Sequence, residues 1–117
     1  MRMFVLTITA LLAVTADTAA KAHAFLDHAE PRVGSTIPAG PRELTLTYTQ
    51  NLEPAFSQVQ VSDASGRRVD LGRPSISGPV MRVGLKPLTA GTYRVHWHVL
   101  SVDTHTTEGS FTFHVGQ

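Results

Sequence analysis

At 117 residues the chain is long enough for one domain with one core and too short for two. It has no cysteine, which excludes disulfides and thiolate ligands, so any metal must be held by nitrogen and oxygen. With 10 basic against 9 acidic residues the formal net charge is +1, which argues against a nucleic acid or an anionic membrane as the partner.

The first predicted element is a removable leader. Arg2 precedes an apolar run from Met3 to about Val14, and small residues fill Ala16 to Ala22, the order of a secretory signal. The run is too short for the roughly 20 residues of a spanning helix, so the mature protein is expected to be exported and soluble, with no membrane insertion. A cut after Ala22 fits the small-x-small preference, as does one after Ala20, and a cut after Ala24 fits less well. Removing residues 1–22 of the 117 leaves 95, which takes Arg2, Lys21 and Asp17 and makes the mature chain formally neutral. The cut after Ala22 makes His23 the amino terminus, where one residue offers a metal both an amine and an imidazole. The cut after Ala20 instead gives Lys21-Ala22-His23, in which a third-position histidine wraps Cu(II) with the amine and two backbone nitrogens. The cut after Ala24 discards His23.

From residue 23 to 117 the chain reads as one all-β domain of short alternating runs punctuated by Pro, Gly, Asn, Asp and Ser. His28 falls in the first strand, an odd number of positions from His23 and so on the other face. Leu44, Leu46 and Tyr48 alternate with Thr45 and Thr47, and Val59 and Val61 alternate with Gln58, Gln60 and Ser62. Asp63-Ala64-Ser65-Gly66 is a hairpin turn into Arg67 to Leu71. Pro74 to Pro79 is a mobile loop rich in Ser, Gly and Pro, and Met81, Val83 and Leu85 follow in a strand-like run. Tyr93, Val95, Trp97 and Val99 share one face, as do Phe111, Phe113 and Val115. About seven antiparallel strands in a sandwich would cover these apolar sets. His96 and His98 face outward, as does His114, and if the last two strands pair, the three share a solvent face as surface residues or a weak accessory metal site.

The chemistry is read in Val102-Asp103-Thr104-His105. In an extended segment Asp103 and His105 project to the same side. Alone, Asp-x-His is a weak signal, and a turn carboxylate and a surface histidine are its commoner meaning. Added to the amine and imidazole of His23, it makes a three-nitrogen, one-oxygen set, which in tetragonal geometry favours Cu(II). The amine, with an ordinary pKa of about 7.7–8.0, must lose its proton to bind, so affinity should fall with pH.

His23-Ala24-Phe25-Leu26 with Pro31, Thr89-Ala90-Gly91-Thr92-Tyr93-Arg94-Val95-His96-Trp97, and Ser101-Val102-Asp103-Thr104-His105 with Gly109-Ser110-Phe111 resemble the CopC family of periplasmic copper-binding proteins. The resemblance runs the whole mature chain. It implies a small Greek-key β-sandwich or barrel of cupredoxin or immunoglobulin-like type, and one Cu(II) ion held by His23, Asp103 and His105 in a histidine brace. It also implies a role in copper resistance or homeostasis and a CopD-like inner-membrane partner. Some members carry a methionine-rich Cu(I) site, whereas Met81 is the only methionine after the leader, so none is expected here. Gln50 stands where relatives often have an acidic residue and is a candidate hydrogen-bond partner of the site.

The competing readings are a brace-type copper oxygenase and a metal-free β-sandwich interaction module. Asp103 as a ligand disfavours the first, because a carboxylate fills a position that an oxygenase leaves open. No nucleophile elbow, phosphate loop or paired-carboxylate motif suggests a hydrolase or transferase, so no enzyme activity is expected.

Overall fold

The computed structural model describes residues 24–116; the leader read over 1–22, His23 and Gln117 lie outside the described residues. The described residues form eight strands: β1 (Leu26–Glu30), β2 (Thr36–Ile37), β3 (Glu43–Tyr48), β4 (Gln58–Ser62), β5 (Ser75–Ser77), β6 (Val80–Gly84), β7 (Gly91–Leu100) and β8 (Thr106–Val115). They make two four-stranded sheets, ordered β1-β3-β6-β5 and β2-β8-β7-β4. Every pairing is antiparallel except that of β2, which runs parallel to β8. No helix among the described residues is long and apolar enough to cross a membrane.

The expected apolar stripes are the core. In the first sheet Leu44 faces Val83 and Leu46 faces Met81; in the second, Val61 pairs with Val95, and Val95 with Phe111. Tyr93 stacks on Phe113 with ring centroids 5.5 Å apart, and Trp97 meets Tyr48 edge-on at 5.2 Å. Each fully buried Val, Leu or Phe contributes about 1.5–3 kcal/mol relative to exposure, and in a cysteine-free chain this packing carries the stability. Gly109 lies directly across from Trp97, and a Cβ added there would sit 2.5 Å from the indole ring. The bare backbone is what lets the indole pack this closely against β8.

Two expectations are corrected. Pro74 to Pro79 is not simply a loop: Ser75–Ser77 pairs with β6 across a turn at Gly78 and Pro79, and half-buried Ile76 packs on the core opposite Met81. The turn at Asp63 to Gly66 forms, with Asp63 Oδ1 accepting from the amides of Ser65 and Arg67. The segment after it makes only isolated bridges, Ser62 to Arg68 and Asp70 to Leu85, in place of a continuous strand.

Those bridges have a polar clasp. The carboxylate of Asp70 is buried; Oδ1 accepts from the Val61 amide at 2.8 Å and from Arg68 Nε at 2.7 Å, and Oδ2 accepts from Arg68 Nη2 at 2.7 Å. Burial pushes the Asp70 carboxyl up, but the Arg68 guanidinium and the Val61 amide outweigh it and hold it below the usual carboxylate range. The group that would otherwise weaken the core is thereby a fixed acceptor for a buried strand amide.

Candidate metal centre

β7 and β8 are ten residues each and paired along their whole length, so the turn between them, Ser101 to His105, is held at one end of the sandwich. Ser101 is fully buried and bridges to Leu52, while the Val102 amide donates to the Asn51 carbonyl at 3.0 Å. Ser57 Oγ accepts from the Leu100 amide at 3.1 Å, tying the start of β4 to the end of β7. The loops on both sides are thus fastened to the turn.

Asp103 and His105 come together, but not by strand alternation as expected. The Thr104 amide donates to the Ser101 carbonyl at 2.9 Å, and Thr104 takes a left-handed conformation at φ 73°. For a β-branched residue this costs about 1–3 kcal/mol. The bend brings His105 Nδ1 to 3.4 Å from Asp103 Oδ1, with both side chains partly exposed. A carboxylate oxygen and an imidazole are therefore side by side at the surface, held by a strained turn on a rigid hairpin.

Ser101 supports both residues. Its hydroxyl lies against Asp103 Oδ1 and, at 3.1 Å, the His105 carbonyl oxygen, donating its one proton to either; its amide also donates to that carbonyl at 3.0 Å. The Asp103 carboxyl is held below the usual range chiefly by the Ser101 hydroxyl, against an opposing effect of burial and with help from the His105 ring and amide. It is a carboxylate at neutral pH. The Ser-x-Asp spacing is the sequence signal for this support, since a small hydroxyl two residues before a turn carboxylate is within local hydrogen-bonding reach.

The start of the described chain sits at the same end. Ala24 is fully buried, and Thr107 Oγ1 donates to its carbonyl at 2.6 Å, two residues beyond His105. Phe25 and Thr49 hold each other, the Phe25 amide donating to Thr49 Oγ1 at 3.0 Å and the Thr49 amide to the Phe25 carbonyl at 2.9 Å. Thr107 and Thr49 had no role in the sequence reading, because isolated threonines on strands carry no distinguishing signal. Gln50 is half-buried in the bend after β3, next to the Asn51 that anchors the turn. His23 itself lies outside the described residues, and among the described residues no three His, Asp or Glu side chains stand in ready ligand geometry.

The other histidines distribute differently. His28 is exposed and pairs with its neighbour Asp27 at 3.0 Å. As expected, His96, His98 and His114 all face outward from the paired β7 and β8, with His114 Nδ1 2.9 Å from Thr92 Oγ1 across the strands. His114 is separated from the other two by the Arg94–Thr112 pair, so the three do not form one cluster.

Residues 26–116 match the CopC domain. The chain is similar to copper resistance protein C of Xanthomonas campestris pv. juglandis, 32% identical over 123 residues that cover 97% of this chain and 96% of that protein. Among solved structures it is similar to CopC from Methylosinus trichosporium OB3b, with a TM-score of 0.75, 29% identity and coverage of 80% of this chain and 93% of that one. It is also similar to PcoC, a methionine-rich copper resistance protein from Escherichia coli, with a TM-score of 0.70, 32% identity and coverage of 80% and 98%. With the domain match spanning nearly all of the described residues and 32% identity to a relative along almost the whole chain, this protein belongs to the CopC family.

Proposed function

We propose that this chain is an exported Cu(II) carrier or buffer in copper homeostasis or resistance, working in the periplasm after removal of residues 1–22. One ion is held by the amine and imidazole of His23, a carboxylate oxygen of Asp103 and the imidazole of His105. The observation that carries the reading is the seating of Ala24 against Thr107, at the end of the sandwich where Asp103 and His105 stand together. Consecutive Cα atoms are about 3.8 Å apart, so an amino terminus at His23 would begin next to Ala24, at that end of the sandwich. Three nitrogens and one oxygen suit Cu(II), which heads the affinity order of the common divalent ions.

The cargo is Cu(II) alone. Met81, the only methionine outside the leader, is buried between the sheets opposite Leu46 and offers no thioether to solvent. A carboxylate in the ligand set favours the doubly charged ion over Cu(I) and suits holding and handing over copper better than redox turnover. The partner that takes or supplies the ion is a CopD-like inner-membrane protein, as family membership suggests.

Asp103→Asn tests the carboxylate. It keeps the shape and removes the charge, so Cu(II) affinity should fall less than on loss of an imidazole and the bound copper should reduce more easily. Voltammetry of the copper-loaded variant is expected to give a higher reduction potential; an unchanged or lower one counts against Asp103 as a ligand.

A further inference from the structure

The outward face of the β4-β7-β8 sheet carries a second group of donors that the copper reading leaves unused. His96 and His98 are two apart on β7 and so on one face, about 7 Å apart along the strand. Glu108 is the direct cross-strand partner of His98, a position in which Cβ atoms are about 4.5–5.5 Å apart. Glu108 Oε2 already lies 3.6 Å from His96 Nε2. On the other side of the same ring, Nδ1 is 2.9 Å from Ser110 Oγ. The hydroxyl thus fixes the imidazole plane and turns Nε2 toward the carboxylate, the kind of outer support that metal-binding histidines commonly have.

We propose that His96, His98 and Glu108 form a second site for a divalent cation that prefers imidazole, Cu(II) binding more tightly than Zn(II). The site is closed by the ion. No three ligands converge beforehand among the described residues, but His98 is exposed and Glu108 is largely so, and rotation of two surface side chains brings both to the ion that His96 Nε2 faces. Two nitrogens and one oxygen leave a position for water. Arg94, whose Nη2 is 3.4 Å from the same Ser110 hydroxyl, puts a positive charge nearby. This site is therefore weaker than one completed by an amine and takes the second equivalent. It is on the outward face of β7, two to four residues from Leu100 and the turn bearing Asp103, and does not depend on His23.

Calorimetric titration of the mature protein with Cu(II), in a buffer that competes weakly for the ion, tests it. Two binding steps are expected. His96→Ala and His98→Ala should each weaken the second step by roughly 10- to 100-fold and leave the first alone, while His114→Ala and His28→Ala change neither. The first step answers to His105→Ala, so failure of the brace and failure of this site are read from different steps. A single step in the native protein, a second step indifferent to His98→Ala, or one equally sensitive to His28→Ala would overturn the proposal.

Discussion

Replacing His105 with alanine is expected to lower Cu(II) affinity by orders of magnitude, at least roughly 100-fold, while the thermal midpoint stays close to that of the native protein. The two halves of the expectation have separate causes. The imidazole is about half exposed and lies 3.4 Å from Asp103 Oδ1, a surface pair worth about 0–1 kcal/mol. The turn is held by the backbone of residue 105, whose carbonyl accepts from the Ser101 amide and hydroxyl, and alanine keeps that carbonyl. The ligand is removed but the scaffold is not. Competitive titration beside a thermal melt checks both halves, and native affinity in the variant would remove His105 from the site.

Asp70→Ala is expected to do the reverse, lowering stability and sparing copper binding. Its carboxylate is the acceptor for the amide of Val61, a fully buried residue, and leaving such a donor without a partner costs about 1–3 kcal/mol. For a domain of this size that lowers the melting midpoint by on the order of 10 °C. The pair with Arg68 adds little, since the guanidinium is half exposed and screened. The effect has a definite pH dependence. The folded carboxyl is held below its usual range, so its contribution is complete above the unfolded value of about 3.9 and is lost as pH falls through the depressed folded value. The gap in midpoint between native and variant protein should therefore be full at neutral pH and shrink in strong acid. Equal midpoints at pH 7 would contradict the role given to Asp70.

What was legible in the sequence was whatever alternates. Leu44, Leu46 and Tyr48, the Tyr93 to Val99 series and Phe111, Phe113 and Val115 all face inward as their period of two requires. The strands that escaped notice are those whose reason to exist is not a buried stripe. β5 has one apolar residue, Ile76, and is a strand because its backbone completes β6 across the Gly78 turn. β2 is two residues long and is defined by its parallel pairing with β8, which begins where the Gly34 amide donates to the Thr112 carbonyl at 2.7 Å. Conversely, Arg67 to Leu71 looks strand-like after its turn, yet its backbone bonds are divided between Val61 and Asp63 on one side and Gly84 and Lys86 on the other, and Asp70 turns inward to meet the Val61 amide, so isolated bridges stand in place of one ladder.

The candidate site divides in the same way. Asp103 and His105 are adjacent for a reason that their spacing did not contain: Thr104 adopts a left-handed conformation that its residue type does not advertise. Thr107, which receives the start of the domain, owes its role to a contact between segments distant in sequence, whereas Ser101 supports Asp103 and His105 through bonds only two and four residues long. His96 and His98 face out as alternation demands, but the residue that joins them is Glu108 and not His114, because strand register, which one sequence does not reveal, decides which pairs lie opposite.

The central claim is that the amino group of His23 is itself a ligand, and one comparison addresses it most directly. The exported protein, with its terminus verified by mass, is titrated with Cu(II) against a competing chelator beside a version carrying one extra alanine before His23. The extra residue leaves every side chain in place and moves only the amine. A His23 terminus in the native protein and a collapse of affinity by orders of magnitude in the extended one are the predicted results. Equal affinity in the two would show that the amine takes no part, and would leave the copper to side chains alone.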